Sequence, residues 1–466
     1  MLTVNLDRNS PTSLYLQLYE SVKNQIIRKE LAPDSLLPSK RTLAMHLGIS
    51  VKTVENAYAQ LLLEGYIYSK EKRGFFVNTL EDYRTRKGPA PAYVSHYKED
   101  SYLVDLKSNK HALSEFPVST WCRLMRETLS YQDASLFDTV PFHGVARLRV
   151  AIAQYLHDFR GMDVSPDQII VGAGTEYLYT RLIQLLGPDA RYAIEDPGYN
   201  RIRAIYKSNG VSYAAIPVDS DGIRMDLLAD SGCNIVHISP AHHFPLGLVT
   251  PINRRLELLQ WVNSAPGRYI IEDDYDSEYR YRGIAAAPIY SIDIRSKVIY
   301  MNTFSKSVAP AVRISYMVLP EILMEKYIAT MNFYSCTVSS FEQYTLASFI
   351  EKGHLERYIN RMKRRGAAQR DLLLHAIEQS PLSAHARVLD DTAGSHFLLK
   401  LDTRMTDAEL TTRLKERQIL VSCLSEFCEH SMPEYASTLI LNYSGITEKQ
   451  AKYFMEQICD ILSVSR

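Results

Sequence analysis

Lys306 stands among small and polar neighbours in Asn302-Thr303-Phe304-Ser305-Lys306-Ser307, with Arg313 seven residues on and an apolar run, Ile314 to Leu319, behind it. A lysine in a polar loop is ordinarily a solvated charge. Residues elsewhere in the chain change that reading. Tyr269-Ile270-Ile271 has a strand pattern, so Glu272, Asp273 and Asp274 fall at its carboxyl end, where open α/β sheets bind ligands. Three acids after a strand also suit a solvated loop or a divalent cation. Tyr275 lies two residues past Asp273, on the same side of an extended chain. Ile169 to Val171 runs into Gly172-Ala173-Gly174 and a helical pattern. Backbone N–H groups of Gly174, Thr175 and Glu176 would face an anion at that positive helix end. Glu195-Asp196-Pro197-Gly198-Tyr199 puts Tyr199 past another strand end. Taken together these types meet the needs of pyridoxal 5'-phosphate. Lys306 supplies the imine, Asp273 partners the pyridine nitrogen, and Tyr275 bonds the ring hydroxyl and lowers the imine pKa. Tyr199 stacks on the ring, and Ser305 and Arg313 join the helix end on the phosphate.

These residues need a scaffold that brings strand ends to one edge. Gln168 to Gly174, Arg191 to Gly198, Asn234 to Pro240, Arg268 to Asp276 and Lys297 to Lys306 are apolar runs separated by helical patterns. The alternation predicts a parallel sheet covered by helices. Helical patterns dominate from 321 onward, with strand-like His396 to Leu401 and Thr438 to Ser444. The predicted organisation is an N-terminal domain over 1–79, a linker over 80–102, and a large region over 103–466. The last divides into a large α/β part at about 130–320 and a smaller α+β part at about 321–466. The linker reading rests on mixed charges and a Gly-Pro-Ala-Pro stretch, which stiffens an extended backbone.

Three helical patterns open the chain. Pro11 to Lys29 carries Tyr15, Leu18, Val22 and Ile26 on one face. The second starts at Ser39, carries Leu43, Ala44 and Leu47, and stops at Gly48. The third starts at Ser50, carries Val54, Ala57, Tyr58, Leu61 and Leu62, and stops at Gly65. Leu47-Gly48-Ile49-Ser50 has the length and glycine of a helix-turn-helix turn. Tyr66 to Tyr68 and Phe75 to Val77 read as two short strands around a basic turn, Lys70 to Gly74. Such a winged helix-turn-helix presents the start of its third helix to the DNA major groove. Ser50, Lys52 and Thr53 then face bases, while Ser39, Arg41, Lys72, Arg73 and Gly74 approach phosphates. A helical dimerisation or peptide-binding module with merely solvated charges is the plainer alternative.

Composition excludes other classes. Fifty-three basic residues balance 53 acidic ones, so whole-chain charge does not point to nucleic acid. The first 80 residues hold ten Lys/Arg against seven Asp/Glu, and any contact there is a local patch. Six scattered cysteines without a Cys-x-x-Cys pair indicate a reduced, cytoplasmic setting and argue against zinc or any other metal site. No apolar run reaches membrane-spanning length, and the first residues lack a signal-peptide pattern.

Residues 12–77 resemble the DNA-binding domain of GntR-type regulators, through Leu14 to Ile26, Leu37 to Ser50, Thr53 to Ile67 and the wing ending Gly74 to Val77. Residues from about 103 to 466 resemble a fold-type I aminotransferase, through Phe142 to Leu156, Gly172 to Tyr179, Glu195 to Arg203, Ser239 to Gly247, Ile270 to Tyr281 and Thr303 to Pro320. Their joint order is similar to the MocR-type regulators. That resemblance implies pyridoxal phosphate on Lys306, a homodimer, a double-stranded DNA operator, and control by an amine, an amino acid or the cofactor itself. It also implies that Arg201 holds an effector carboxylate, with Arg203 left to a surface or helix-end role. Three departures stand out. Val51 sits where GntR-type domains often carry arginine. His242 occupies the place of an asparagine near the ring hydroxyl and joins the expected cofactor set. No arginine lies between Gln418 and Ser465, where aminotransferases anchor a substrate carboxylate. The last departure implies little or no turnover, the rival being an active aminotransferase with an accessory DNA-binding domain.

Overall fold

The computed structural model describes residues 4–8, 10–80, 101–108, 116–130, 134–280, 286–389 and 394–463. The chain divides into two units, Met1–Glu99 and Asp100–Arg466. Most of the predicted linker, residues 81–100, lies outside the described residues.

In the first unit, α1 (Leu14–Ile27), α2 (Lys40–Leu47) and α3 (Val51–Leu63) pack around a core to which α1 gives Leu18, Val22 and Ile26 and α3 gives Val54, Tyr58 and Leu61. Full burial of each such side chain is worth roughly 1.5–3 kcal/mol. Helix α1 starts later than the pattern suggests because Ser13 is extended, and Lys29 in the left-handed region closes its end. Tyr15 and Leu62, expected on apolar faces, are 39% and 40% exposed, so Tyr19 replaces the former in the core and the α3 face stops at Leu61. Serine caps set both later helices: Thr42 N–H donates to Ser39 Oγ at 3.2 Å and Thr53 N–H to Ser50 Oγ at 3.0 Å. Gly48, at φ +62, ends α2 in a conformation that disfavours a side chain. The wing follows as β1 (Ile67–Lys70) and β2 (Gly74–Val77), antiparallel, with Ile67 opposite Val77 and Lys70 opposite Gly74.

The second unit begins with β3 (Val104–Asp105), α4 (Val118–Ser130) and α5 (Ala146–Arg160). There follow β4 (Ile169–Gly172), α6 (Thr175–Leu186), β5 (Tyr192–Asp196), α7 (Asn200–Ser208), β6 (Tyr213–Asp219), β7 (Gly222–Ile223) and α8 (Met225–Asp230). Then come β8 (Ile235–Ile238), α9 (Ile252–Asn263), β9 (Tyr269–Asp273), β10 (Val298–Thr303), α10 (Phe304–Ser307) and β11 (Ser315–Val318). The chain continues through α11 (Glu321–Met331), α12 (Ser340–Glu351), α13 (His354–Glu378), β12 (Ala386–Leu389), β13 (His396–Leu401) and α14 (Asp407–Glu416). It ends with β14 (Ile419–Leu420), β15 (Ser422–Cys423), β16 (Thr438–Asn442) and α15 (Glu448–Ile461).

One sheet runs β4-β11-β10-β9-β8-β5-β6-β7. Strands β5, β6, β8, β9 and β10 are mutually parallel, whereas β11 runs antiparallel to both β10 and β4. Both faces are covered, which is why its strands read as continuous apolar runs. In β4, Ile169 and Val171 enter one core and Ile170 the other. A second, antiparallel sheet runs β12-β13-β16-β15.

The boundary expected near 321 is corrected by the packing. Leu323, Met324 and Tyr327 of α11 and Leu346 and Phe349 of α12 are buried in the cores of the large sheet. The smaller layer begins along α13, which gives Leu355 and Tyr358 to the large core and Leu373 and Ile377 to the small one. It also recruits β3, which pairs parallel with β14. Helical periodicity reports a buried face but not which layer buries it.

Candidate functional site

The carboxyl ends of β4, β5, β8, β9 and β10 open onto a cavity of about 720 Å³, closed on its other side by residues of the smaller layer such as Ser422, Phe427 and Asn442. Lys306, Asp273, Tyr275, Tyr199, Ser305, Arg313, Thr175, Glu176 and Arg201 all line it.

Alternation at the end of β9 sorts its three acids. Glu272 is fully buried and accepts N–H donors from Ile289 and Tyr290, each at 2.9 Å. Asp274 is clasped by Arg160 and by the Tyr300 hydroxyl, each at 2.6 Å. Asp273, between them, faces the cavity. Tyr179 donates its hydroxyl to Asp273 Oδ2 at 2.5 Å, and His237 Nε2 lies 3.9 Å from the same oxygen. Asp273 Oδ1 is buried with no hydrogen-bond partner among the described residues. A buried carboxylate oxygen without a donor is costly, and a protonated ring nitrogen would satisfy it. Among the described residues no group of His, Cys, Asp and Glu is placed to hold a metal ion.

Lys306 sits on the short helix α10, whose start is fixed by Thr303 Oγ1 accepting from Ser305 N–H at 3.1 Å. Tyr279 donates its hydroxyl to the Lys306 carbonyl at 2.9 Å, holding the turn. Burial pushes the Lys306 amine below its ordinary 10.5; Asp276 opposes that shift and Arg201 adds to it. Tyr275 approaches His242 Nδ1 at 3.3 Å, and that nitrogen lies 3.0 Å from both oxygens of buried Asp276. His242 thus stands behind Tyr275 rather than on the cavity wall. Burial, with Asp276 and Asp273 adding, raises the Tyr275 phenol well above its usual range and keeps it neutral.

The helix end differs from expectation in two details. Gly174 spends its N–H on the Gly172 carbonyl at 2.9 Å, so it is not a free anion donor. Its role is steric: at φ +92 it has no side chain to collide with the Arg313 guanidinium. The N–H groups of Thr175 and Glu176, in the first helical turn, have no acceptor within the helix. Arg313 ion-pairs with Glu176 Oε2, and Arg201 Nη1 lies 3.2 Å from Glu176 Oε1. Ser305 donates its hydroxyl to the Val312 carbonyl at 3.0 Å and is committed there. Tyr199 is 41% exposed and meets Phe244 edge-on. Arg203 corrects its expected surface role. It is buried and donates to Glu429 Oε2 at 3.1 Å and to the Phe427 carbonyl at 2.6 Å. Asp196 joins it by accepting from Glu429 N–H at 2.8 Å, so the β5–α7 turn is tied to the smaller layer.

Sequence reasoning missed Tyr179, His237, Asp276 and Glu195. Asp276 follows Tyr275 directly, which was the available signal. His237 and Glu195 become neighbours through sheet pairing, and Tyr179 through the packing of α6 on the sheet. Burial raises Glu195 to about 8 and lowers adjacent His243 to about 3, so the two are neutral neighbours at 3.7 Å rather than an ion pair.

On the first unit, Arg41, Lys72, Arg73 and Gly74 are exposed. Lys52 is exposed and bonded to Glu55 at 3.1 Å, and Lys40 meets the same carboxylate at 3.2 Å. Ser50 and Thr53 hydroxyls bond each other at 2.8 Å while capping α3. Ser39 likewise pairs with Thr42 at 2.6 Å. These hydroxyls serve the helix ends before any base or phosphate.

The model of class I and II aminotransferases matches residues 100–458, and that of the gntR family of bacterial regulatory proteins matches 14–77. The chain is 35% identical over 453 residues to the HTH-type transcriptional regulator YdeL of Bacillus subtilis (strain 168), covering 97% of each chain. It is 30% identical over 460 residues to the probable rhizopine catabolism regulatory protein MocR of Rhizobium meliloti, covering 95% of this chain and 92% of that one. A crystal structure of a multiple substrate aminotransferase from Thermococcus profundus superposes with a TM-score of 0.69 at 24% identity, covering 78% of this chain and 93% of that one.

Proposed function

The chain belongs to the MocR-type transcriptional regulators, a gntR-family helix-turn-helix joined to a class I and II aminotransferase fold, and from that premise we propose that it binds an operator in double-stranded DNA under the control of pyridoxal phosphate chemistry at Lys306. The observation that carries the reading is the buried Asp273 Oδ1, without a hydrogen-bond partner among the described residues, in the same cavity as Lys306.

Pyridoxal phosphate, when bound, supplies an aldehyde that condenses with primary amines and a ring that withdraws electrons. The chain's own groups do the rest. Asp273, oriented by Tyr179, would hold a proton on the ring nitrogen. Tyr275, kept neutral by burial, would donate to the ring hydroxyl, with His242 and Asp276 fixing its position. Tyr199 would stack on the ring. Arg313 and the first turn of α6 would take the phosphate. Lys306, uncharged more readily than a solvated lysine, is ready to attack a carbonyl carbon.

Arg201 lines the same cavity as Lys306 and would hold the carboxylate of an amine-bearing effector. The effector is an amine-bearing small molecule or the cofactor itself. Either must bind one conformation more tightly than the other, because equal affinity shifts nothing. The protein acts as a homodimer in the cytoplasm. Turnover is slow or absent, since among the described residues Ser422, Asn442 and Lys107, but no arginine, face the cavity from the smaller layer.

The reading is tested by adding pyridoxal phosphate to purified protein. Wild type should gain a visible absorbance band, and Lys306→Ala should fold but lack it. Asp273→Asn should gain a weaker, less stable band. A wild-type protein with no band would overturn the cofactor reading. Steady cycling of an amino donor and a keto-acid acceptor at about one per second or faster would favour the enzyme instead.

A further inference from the structure

The end of the cavity assigned to phosphate already contains an anion. Glu176, in the first turn of α6, extends one carboxylate oxygen to Arg313 and the other to Arg201. Its side chain is 39% exposed, so its place is not forced by packing. Gly174 lets the Arg313 guanidinium close on this helix end, since a side chain there would collide with it. Two guanidiniums beside the positive end of α6 are thus satisfied by a group of the chain itself.

A phosphate ester arriving at the same place carries up to two negative charges and needs the same donors. It cannot share Arg313 with Glu176 without bringing like charges together. We propose that Glu176 is an internal competitor for this anion site: a phosphate-bearing ligand binds only as the carboxylate gives up Arg313, and the displaced carboxylate stays on Arg201. Two consequences follow from the geometry. Affinity for the phosphate is held below what Arg313 and the helix end alone would give, so loading is reversible and follows the free concentration of ligand. Arg201 is screened as well, so a ligand carboxylate must also displace Glu176. Glu176 therefore sets which anions the cavity accepts and how tightly. This inference rests on the cofactor reading of Lys306 given above.

The test compares Glu176→Gln with wild type in absorbance titrations by pyridoxal phosphate and by pyridoxal, which lacks the phosphate. Removing the carboxylate's charge should tighten pyridoxal phosphate about tenfold, a modest factor because the pair is partly solvated. Pyridoxal should bind both proteins equally. Inorganic phosphate should compete with pyridoxal phosphate more strongly in the variant by a similar factor. Glu176→Asp, which keeps the charge, should stay near wild type and controls for damage to the α6 end. Unchanged or weaker pyridoxal phosphate binding in Glu176→Gln would overturn the competition. So would equal tightening of pyridoxal, which would place the effect at the amine end. If wild type binds pyridoxal phosphate covalently and the variant matches it, only this inference falls. If neither protein gives a lysine-dependent band, the cofactor reading falls with it.

Discussion

Lys306 owes its proposed reactivity to its surroundings rather than its type. Burial withdraws it from water, Asp276 draws it toward the charged form, and Arg201 pushes it back. Burial is the largest of the three, so the folded-state pKa lies below the ordinary 10.5. A lysine with a depressed pKa gains its uncharged, nucleophilic form at a lower pH than a free one. The rate of pyridoxal phosphate capture should therefore rise with pH and level off with its midpoint below 10.5. Arg201→Ala removes a repelling charge and should move that midpoint upward. Stopped-flow absorbance across pH measures both, and a wild-type midpoint at or above the free-lysine value would contradict the burial argument. Much of this site was legible in the sequence. Asp273 was singled out from three acids at a strand end, with Tyr275 on its side of the chain, and the structure sends Glu272 and Asp274 to other partners. Glu195 was not legible as a site residue, since its partner, the Ser239 N–H, arrives from the segment after β8; Asp276 stood beside Tyr275 in sequence, but its partner His242 comes from that same segment.

At the scale of elements, two helix ends carry the account. The α6 end is shaped by Gly174, whose positive φ and missing side chain admit Arg313. Alanine there meets a backbone conformation that is essentially glycine-only, costing roughly 1–3 kcal/mol, and a collision with the guanidinium. Gly174→Ala should weaken pyridoxal phosphate binding while leaving pyridoxal binding nearly unchanged, because only the phosphate end is disturbed. Equal loss for both ligands in an absorbance titration would show that the substitution damages the whole cavity. The α3 end is shaped by Ser50, whose hydroxyl accepts from Thr53 N–H. Capping serines were readable from the sequence because they stand just before apolar periodicity. Their consequence was not: a hydroxyl engaged in a cap is less available to a base edge. Arg203 was misplaced for a related reason. Its spacing after Tyr199 gave no hint of Glu429, which lies on a distant loop of the smaller layer.

The whole molecule joins two units whose separate folds were foreseeable from period and punctuation. Strands β4, β5, β8, β9, β10 and β11 of the large sheet announced themselves as apolar runs, since both faces are buried, whereas β6 and β7 at its edge did not. The layer boundary did not, because α11 and α12 carry the same helical pattern whether they cover the large sheet or the small one. The proposed function requires, at this scale, that events at Lys306 alter what the helix-turn-helix binds. The direct measurement is fluorescence anisotropy on a labelled duplex that the protein has itself selected from a random pool. Affinity is read for wild type and Lys306→Ala, each with and without pyridoxal phosphate and a panel of amines, at one fixed salt concentration. The account predicts that ligand changes wild-type affinity by about fivefold or more, the usual span of allosteric coupling. Lys306→Ala should bind the duplex with one affinity throughout. Identical affinities for wild type in every ligand condition, or a full response surviving in Lys306→Ala, would contradict it.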